Sequence, residues 1–487
     1  MSRFLKTKLY MALALVLSLA SCSGDFEEIN TNPNSPTEVP STNILAYTIE
    51  NFTANSFSTS AVCGGALGYA NQVGKIQYPE ESIYEFREGT FSSYFTTIYR
   101  NQQNLAVVME QAEAEGATNM TAVAKTWSAY IWLIATDSWR DIPFTEALGA
   151  TEGVLSPSYD EQEDIYPAVM DLLAEANDLF NEGASDDIGS GDLLFGGDTE
   201  LWQKFANSLR LRMAIRLSNV EPATAKSVVE EIIASPSTYP IISSNDDNAY
   251  FHWLGANPYY EPFYSNKDIS ARDDHGMADV IIDQLKAFND PRLPIYAHPA
   301  AADGEYRGVV VGDDQDNFTM SEISRIGARF RDEADGFSPF MNYAEVCFIL
   351  AEASANGWAT GTTAAEAYEA GITASMEENE VAADDIATYL TQSDIVYSDV
   401  DQIYLQKWIS LFKNGHEAWA ENRRTDVPLL SPAPDGSYSG HNRPPFRQPY
   451  PNTEYSLNTA NIQTFWSKVD DRLWGQQMYW DTRTGVN

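Results

Sequence analysis

The sequence predicts an all-α fold, an irregular stack of tetratricopeptide-like helical hairpins with long loop insertions. Three observations carry this prediction. Apolar residues recur at three- and four-residue spacing in many segments, which is typical of amphipathic helices. Capping patterns and glycines stand at the ends of several of these segments. The hairpins follow no fixed period, and two stretches rich in Pro, Asn and Tyr interrupt them.

Two helical stripes in the first third of the chain predict a hairpin around Gly116. Their apolar residues are Leu105, Val108, Met109 and Ala112 before the glycine, and Val123, Trp127, Tyr130, Ile131 and Ile134 after it. Glycine often ends a helix because it adopts the left-handed conformation without a side-chain clash. We therefore expect one helix to end there and its partner to follow.

A second hairpin is predicted from a capping pattern. Ser158 and Glu161 have the spacing of a capping box before the stripe that begins at Ile165. Pro167 is tolerated in the first turn of that helix and otherwise makes a kink. A partner helix carries Trp202 and the apolar residues that follow it at helical spacing.

The later helices are predicted on the same grounds. Residues 343–353 are apolar on nearly all sides, as in a buried helix, and Gly357 is a plausible stop. Thr363 and Glu366 have the spacing of a second capping box. These signals predict another hairpin in the second half of the chain.

The first residues have the pattern of a bacterial lipoprotein signal. A basic start with Arg3, Lys6 and Lys8 is followed by an apolar run that ends at Ala20 and is too short to span a bilayer as a mature helix. Small residues directly precede Cys22, as at a site where the thiol is lipidated after cleavage. Acyl chains would then anchor the protein to a membrane. An ordinary signal with an incidental cysteine is the alternative.

The acidic residues after the cysteine indicate the side of the membrane. Asp25, Glu27 and Glu28 resemble the surface-export signal of Bacteroidetes lipoproteins. That resemblance implies a lipid-anchored protein of the outer membrane that faces the cell exterior. A solvated linker is the other interpretation.

The domain boundaries follow from these patterns. Residues 1–21 are interpreted as a cleaved signal, residues 22–44 as a lipidated linker and residues 45–487 as one helical domain. Within it, residues about 236–340 and about 428–487 contain turn-forming residues and few helical stripes. Loops laid over a scaffold often carry binding function, so we place the ligand-binding side there.

The charge of the chain excludes several partners. Its 487 residues include 70 acidic and 30 basic ones, a formal net charge of −40. Such a chain lacks the cations that neutralise the phosphates of a nucleic acid, so no nucleic-acid partner is expected. It equally lacks the Lys/Arg clusters that dock proteins on anionic lipid.

No catalytic motif is complete. His416 and Glu417 begin like a zinc-protease helix, but Ala420 stands where the second histidine ligand belongs. The acidic run 312–317 resembles a calcium loop, but Phe318 stands where an EF-hand needs glycine. An irregular calcium site and a solvated acidic turn both stay open. A carboxylate pair for glycoside hydrolysis forms only in space and is invisible here. We expect a non-enzymatic protein without a cofactor.

Aromatic residues indicate a sugar-binding site. Residues 250–264 contain seven aromatic rings interrupted by Gly and Pro. Rings on a loop offer flat faces to the C–H groups of sugars, and nearby polar side chains bind the hydroxyls. The candidate ligand contacts are Trp253, Asn257, Tyr259, Tyr260, Phe263 and Tyr264, with Glu261 and Asn266 near them and Tyr78 and Tyr84 as a second cluster. The alternative is that these rings only pack the loops onto the helical core.

Clustered arginines stand out in so acidic a chain. They are Arg210, Arg212, Arg216, Arg423 and Arg424. Buried ion pairs with carboxylates are the favoured interpretation, and anion recognition is the alternative.

Several sequence blocks stand in one order along the chain. They are 25–34 (DFEEINTNPN) after Cys22, 139–148 (WRDIPFTEAL), 205–214 (FANSLRLRMA), 342–353, 406–409 with 417–419 and 423–424, and 450–455 (YPNTEY). The blocks resemble the SusD/RagB-like nutrient-binding outer-membrane lipoproteins of Bacteroidetes, and most closely the second SusD-like subfamily. Arg140 departs from that family, in which glycine often precedes the aspartate.

The resemblance implies a fold and a role. It implies helical tetratricopeptide-like pairs with an irregular ligand-binding portion. It also implies a partner, a SusC-like TonB-dependent outer-membrane transporter, over which the lipoprotein sits as a hinged lid. We therefore expect a non-catalytic surface protein that captures oligosaccharides for import. A peptide-binding member of the family, a surface glycoside hydrolase and an adhesin are the alternatives.

Overall fold

Helices form most of the regular structure. The structure is a computed structural model, and it describes residues 39–59, 65–462 and 470–487. Helices of eight or more residues within these ranges are α1 (Ser41–Ser56), α2 (Glu88–Glu115), α3 (Thr118–Trp139), α4 (Gln162–Asn181), α5 (Thr199–Arg216), α6 (Pro222–Ala234), α7 (Asp279–Ala287), α8 (Tyr343–Ala355), α9 (Ala364–Glu378), α10 (Ala383–Leu390), α11 (Val400–Ser410) and α12 (Gly415–Thr425). The all-α prediction is confirmed.

Short elements occupy the connections. Helical turns lie at Leu67–Tyr69, Pro262–Tyr264, Leu293–Tyr296, Ala328–Arg331, Asn452–Leu457, Thr459–Ile462 and Asp471–Trp474. The strands are β1 (Val73–Lys75), β2 (Ala249–His252), β3 (His275–Met277), β4 (Ala297–His298), β5 (Arg325–Ile326) and β6 (Phe337–Met341). They pair antiparallel as β1–β3, β2–β6 and β4–β5. Of the twelve longer helices only α7 falls within residues 236–340.

Consecutive helices pack against each other and form the expected stack. In the first half, α1 packs on α2, α2 on α3, α3 on α4, α4 on α5 and α5 on α6. In the second half, α8 packs on α9 and on α5, and α11 packs on α8, α9 and α12. The predicted hairpin turn is confirmed, because α2 ends at Gly116 in the left-handed conformation (φ 69°).

The two predicted capping boxes have opposite outcomes. At the start of α9, Thr363 Oγ1 accepts from the N–H of Glu366, whose side chain accepts from the N–H of Thr363. The box at Ser158 is wrong, since α4 begins after Glu161 without a side-chain cap. Ser158 instead donates its hydroxyl to Glu146 Oε2 at 2.9 Å. The helix runs on through Pro167, which lies beyond the first turn.

Buried ion pairs connect the helices at the centre of the molecule. Arg212 on α5 forms a bidentate pair with Glu345 on α8, at 2.6 and 2.7 Å. Arg216, also on α5, contacts Asp137 on α3 and Glu417 on α12. All five side chains are buried. The ion-pair interpretation of these arginines is therefore confirmed.

The remaining clustered arginines differ from one another. Arg424 contacts both Glu352 and Glu421 at 2.6 Å. Arg210 lies 3.2 Å from the half-exposed Glu231. For Arg423 the predicted ion pair is wrong: it donates to the carbonyls of Phe446 and Asp137, and its guanidinium lies 3.6 Å from the ring centre of Trp419.

The membrane-related predictions fall mostly outside the described residues. Cys22 and the acidic residues that follow it lie there, so the structure does not bear on them. In the described part of the chain, no helix combines the length and apolar character that a membrane crossing needs. The first described helix, α1, begins at Ser41 and thus inside the segment assigned to a linker.

Candidate functional site

A two-stranded ribbon supports one wall of a polar cleft. In the ribbon, Gly74 of β1 stands opposite Gly276 of β3. A Cβ on Gly74 would lie 2.9 Å from Val309, and one on Gly276 would lie 2.7 Å from Ile323. Only glycine therefore lets the ribbon pack this closely on the chain beneath it. The close packing fixes Lys75, the last residue of β1, at the edge of the cleft.

The polar cleft has the size of a small-molecule site and balanced charges. Its volume is about 510 Å³, within the usual range for ligand pockets. It is lined by Thr59, Lys75, Tyr78, Glu80, Glu81, Arg87, Asn266, Arg272 and Asp274. Among these residues, all in the described part of the chain, three cations face three carboxylates, so their formal charges balance in a chain of net charge −40. Such a lining offers both donors and acceptors without repelling an uncharged ligand.

Ion pairs hold the charged side chains on one side of the cleft. Arg87 lies 3.4 Å from both Glu80 and Glu81. Lys75 lies 3.7 Å from Glu81, and both are more than nine-tenths buried. Paired charges of this kind are held in fixed positions. Each arginine has five N–H donors, more than its carboxylate partners use, so some remain for a ligand.

Among the described residues that line the cleft, Tyr78 carries the one aromatic ring. Tyr78 is 54% exposed and has a positive φ of 55°, which is uncommon for a residue with a side chain. The guanidinium of Arg272 lies 4.6 Å from its ring centre and is itself held by Asp274 at 2.9 Å. The ring is thus braced by a cation and still offers apolar surface beside the polar side chains.

Three of the predicted ligand contacts are buried. Trp253, Phe263 and Tyr84 are each at most 5% exposed. The indole of Trp253 donates to Ser338 Oγ at 3.0 Å. The ring of Phe263 packs edge-on against His275, and the hydroxyl of Tyr84 accepts from the N–H of Ala433 at 2.8 Å. These rings pack loops onto the core, so they present no ring face to a ligand.

The other predicted contacts lie in separate parts of the structure. Tyr260 and Tyr264 are half-buried with ring centres 5.7 Å apart. Asn257 is exposed in the turn before them, and Tyr259 lines a separate apolar cleft. Of the polar residues named with them, Asn266 lines the polar cleft. The structure therefore does not bring the eight predicted contacts together.

Glu261 is buried and paired. It lies 3.1 Å from Lys413, with both side chains at most 3% exposed. Burial raises the pKa of Glu261 and lowers that of Lys413, which shows how fully both are removed from water. Glu261 is not available to a sugar hydroxyl.

The charged lining of the polar cleft was missed by sequence reasoning. Lys75, Arg87 and Arg272 are all part of it, yet they come from separate parts of the sequence. No spacing rule links them. Basic residues are rare in this sequence, with 30 among 487, and this rarity is the one signal that could have indicated them.

The described residues include no group of three or more His, Cys, Asp and Glu that could hold a metal ion. In the acidic turn, Asp313 Oδ1 accepts from the N–H of Asp314 at 2.9 Å and from Asn317 at 2.6 Å. Asp314 Oδ1 accepts from the N–H of Asp316. These carboxylates act as caps of the turn's own backbone.

Comparison with known proteins places the chain in a family. Residues 33–451 match the SusD-like_2 family, which is described as "Starch-binding associating with outer membrane". The chain belongs to this SusD-like family. The match covers most of the sequence, and it confirms the family that the sequence blocks indicated.

Solved structures agree with this assignment. A chitin-binding protein is 26% identical, with 91% of this chain and 100% of that chain covered and a TM-score of 0.77. A SusD homolog from Bacteroides uniformis is 25% identical, with 90% and 99% covered and a TM-score of 0.77. A chitin-binding SusD homolog from Flavobacterium johnsoniae, at 22% identity and a TM-score of 0.75 over 90% and 99% of the two chains, supports the fold alone. No curated protein matches the chain.

Proposed function

We propose that this SusD-like protein is a non-catalytic receptor that binds a neutral oligosaccharide in the polar cleft around Tyr78. The observation that carries the proposal is the cleft itself, where an exposed, cation-braced ring stands among balanced donors and acceptors. The chitin-binding relative and the starch-binding description of the family support a glycan as the ligand class. A formally neutral lining favours an uncharged sugar over a charged one.

The wider role follows from the family. We infer that Cys22 is lipidated, that the protein faces the exterior of the outer membrane, and that it hands its ligand to a SusC-like TonB-dependent transporter as the transporter's lid. The family's association with the outer membrane supports this localisation. Mass spectrometry of the mature amino terminus tests the lipidation, and an unmodified Cys22 would contradict the anchor.

Calorimetric titration of the purified protein with a panel of neutral oligosaccharides tests the receptor. We expect Tyr78→Ala to weaken binding about five- to thirty-fold, because losing a stacked ring costs about 1–2 kcal/mol. Tyr259→Ala is the matched control, since it removes a similarly exposed ring outside this cleft. Equal affinities for the wild type and Tyr78→Ala would remove the cleft from the proposal.

Three further measurements separate the alternatives. Reducing-sugar release by the purified protein would indicate a glycoside hydrolase, and we expect none. Titration with a neutral peptide library would indicate a peptide-binding member if peptides bind and no glycan does. Purification from detergent-solubilised membranes should recover a TonB-dependent barrel with the protein.

A further inference from the structure

A second cleft lies between α1 and the chain around β2, and we name it the α1 cleft. It has a volume of about 460 Å³, which suits a small organic molecule. Its lining consists of Ala46, Tyr47, Glu50, Leu193, Phe251, His252, Leu254 and Tyr259. The lining is largely aliphatic and aromatic, in contrast to the polar cleft.

One wall is the outer face of α1. Leu45, Ile49 and Phe52 on the inner face are fully buried in the core. Tyr47 and Glu50 point away from that core and line the α1 cleft, as helical spacing requires of residues three apart. This wall is therefore fixed by the packing of its own helix.

A second wall is held in place by a tight turn. The turn contains Gly191, where a Cβ would lie 2.0 Å from the carbonyl oxygen of Thr42 on α1, so the turn contacts the helix directly. The buried carboxylate of Asp192 then accepts three backbone N–H groups of the following residues and the indole N–H of Trp202. These bonds fix Leu193, which is 40% exposed in the cleft.

The third wall belongs to β2 and the turn that follows it. Phe251 and His252 lie on β2, which is paired with β6. In the turn, Gly255 donates its N–H to the carbonyl of Tyr259 at 3.1 Å, which closes the segment that begins directly after Leu254 and ends at Tyr259. Leu254 is 74% exposed, although it lines an apolar cleft. All three walls thus have hydrogen-bonded or packed supports, so the cleft is formed without a ligand.

The polar groups of the α1 cleft have no partners. Within the described residues, the side chains of Tyr47, Glu50, His252 and Tyr259 form no hydrogen bond or ion pair. Glu50 is the one acidic group among the described residues of the lining. Burial raises the pKa of its carboxyl group, and no cation of the described residues forms an ion pair with it. An unpaired carboxylate beside apolar walls attracts a cation with an apolar body.

The imidazole of His252, which also lines the cleft, does not repel a cation. Burial lowers the pKa of His252, and the positive charge of Arg329 lowers it further. The ring of His252 is therefore neutral at pH 7. The exposed rings of Tyr47 and Tyr259 add faces to which an ammonium group or a flat ring is attracted.

We propose that the α1 cleft binds a primary ammonium group attached to an aromatic or aliphatic body, with the ammonium on Glu50 and the body against Leu193, Leu254 and the tyrosines. Two sources share this chemistry, a free arylalkylamine and the amino-terminal apolar residue of a peptide. The site is separate from the polar cleft and does not rest on the proposed glycan binding.

Titration with two probes that differ in one charge tests the proposal. Tyramine carries the ammonium, and N-acetyltyramine has the same ring without the charge. By NMR or calorimetric titration of the full mature chain at pH 7.5, we expect tyramine to bind at least tenfold more tightly. Glu50→Gln should remove this preference, while Tyr259→Ala should weaken both probes. Equal binding of the two probes to the wild type, or no binding of either, would overturn the proposal.

A peptide pair distinguishes the two sources. Tyr-Gly-Gly-amide with a free amino terminus is compared with its N-acetylated form. Binding of the free peptide as tight as that of tyramine supports a peptide terminus as the source, and binding of tyramine alone supports a free amine. Tyr78→Ala should leave tyramine affinity unchanged while it weakens glycan binding, so failure of one site is distinguishable from failure of the other. A loss of tyramine binding in Tyr78→Ala would contradict two separate sites.

Discussion

Neutralising Glu417 tests the central ion-pair network most severely. The carboxylate of Glu417 is buried between Arg216, from which it accepts a hydrogen bond, and Arg212 at 3.3 Å. Burial alone would raise its pKa, but the two guanidinium groups outweigh burial and hold the pKa at about 2. Glu417→Gln leaves Arg212 with Glu345 alone and Arg216 with Asp137 alone. Each guanidinium then keeps one carboxylate, but Arg216 loses the charged acceptor of one hydrogen bond and Arg212 loses its second carboxylate contact.

The expected cost follows in two ways. Breaking a buried pair by removing one partner costs about 3–5 kcal/mol. Lowering a pKa from 4.5 to about 2 corresponds to roughly 3 kcal/mol of interaction with the charged form. The first figure applies when the remaining charge has no partner, whereas here each arginine keeps one carboxylate. We therefore expect a loss of about 3 kcal/mol in the free energy of unfolding.

Urea denaturation followed by tryptophan fluorescence measures this loss. With a slope of about 3 kcal/mol per molar urea, the midpoint of Glu417→Gln should fall by about 1 M. The matched control is Glu175→Gln, because Glu175 pairs with Lys125 at 2.9 Å but is 60% exposed. An exposed pair contributes less than about 1 kcal/mol, so the control midpoint should move by no more than about 0.3 M. Equal midpoints for the two variants would refute the reasoning.

Three other predictions concern stability. Trp253→Ala should cost about 3–5 kcal/mol in the free energy of unfolding, because the ring is buried. The folded variant should bind glycan with unchanged affinity, and a weaker affinity would place Trp253 in the binding site. Thr363→Ala should cost about 0.5–2 kcal/mol in thermal denaturation by removing the cap of α9. Glu369→Ala changes an exposed side chain on the same helix and should alter stability by no more than about 0.5 kcal/mol, so equal losses would argue against the cap. Burial would raise the pKa values of Glu417 and Glu421, but neighbouring cations hold both at about 2. The stability that these carboxylates contribute is therefore present above about pH 4.5 and lost as the pH falls towards 2. A urea midpoint that stays constant over this range would contradict this prediction.

The helical scaffold could be predicted because its signals are local. The stripe that ends at Gly116 and the cap at Thr363 each occupy one turn or one helix, and the structure contains both. The Ser158 pattern failed although its spacing was right, because Glu146 from an earlier loop binds that serine. A capping pattern in sequence does not reveal a competing acceptor elsewhere in the chain.

The candidate site could be predicted only in part because burial and pairing are properties of the whole fold. Tyr78 and Trp253 look alike as aromatic residues in loop-like segments, yet one is 54% exposed and the other 5%. In the fold, the indole of Trp253 donates to Ser338 on β6 and its ring packs edge-on against Phe251. The α1 cleft was missed for the same reason, since Glu50 belongs to a helix whose sequence shows no ligand motif.

A crystal structure of the protein with its tightest-binding neutral oligosaccharide tests the glycan receptor most directly. We predict a sugar ring stacked on Tyr78, with hydroxyl groups within hydrogen-bond distance of Arg87, Asn266 or both. A sugar bound elsewhere, with the polar cleft empty, would contradict the account.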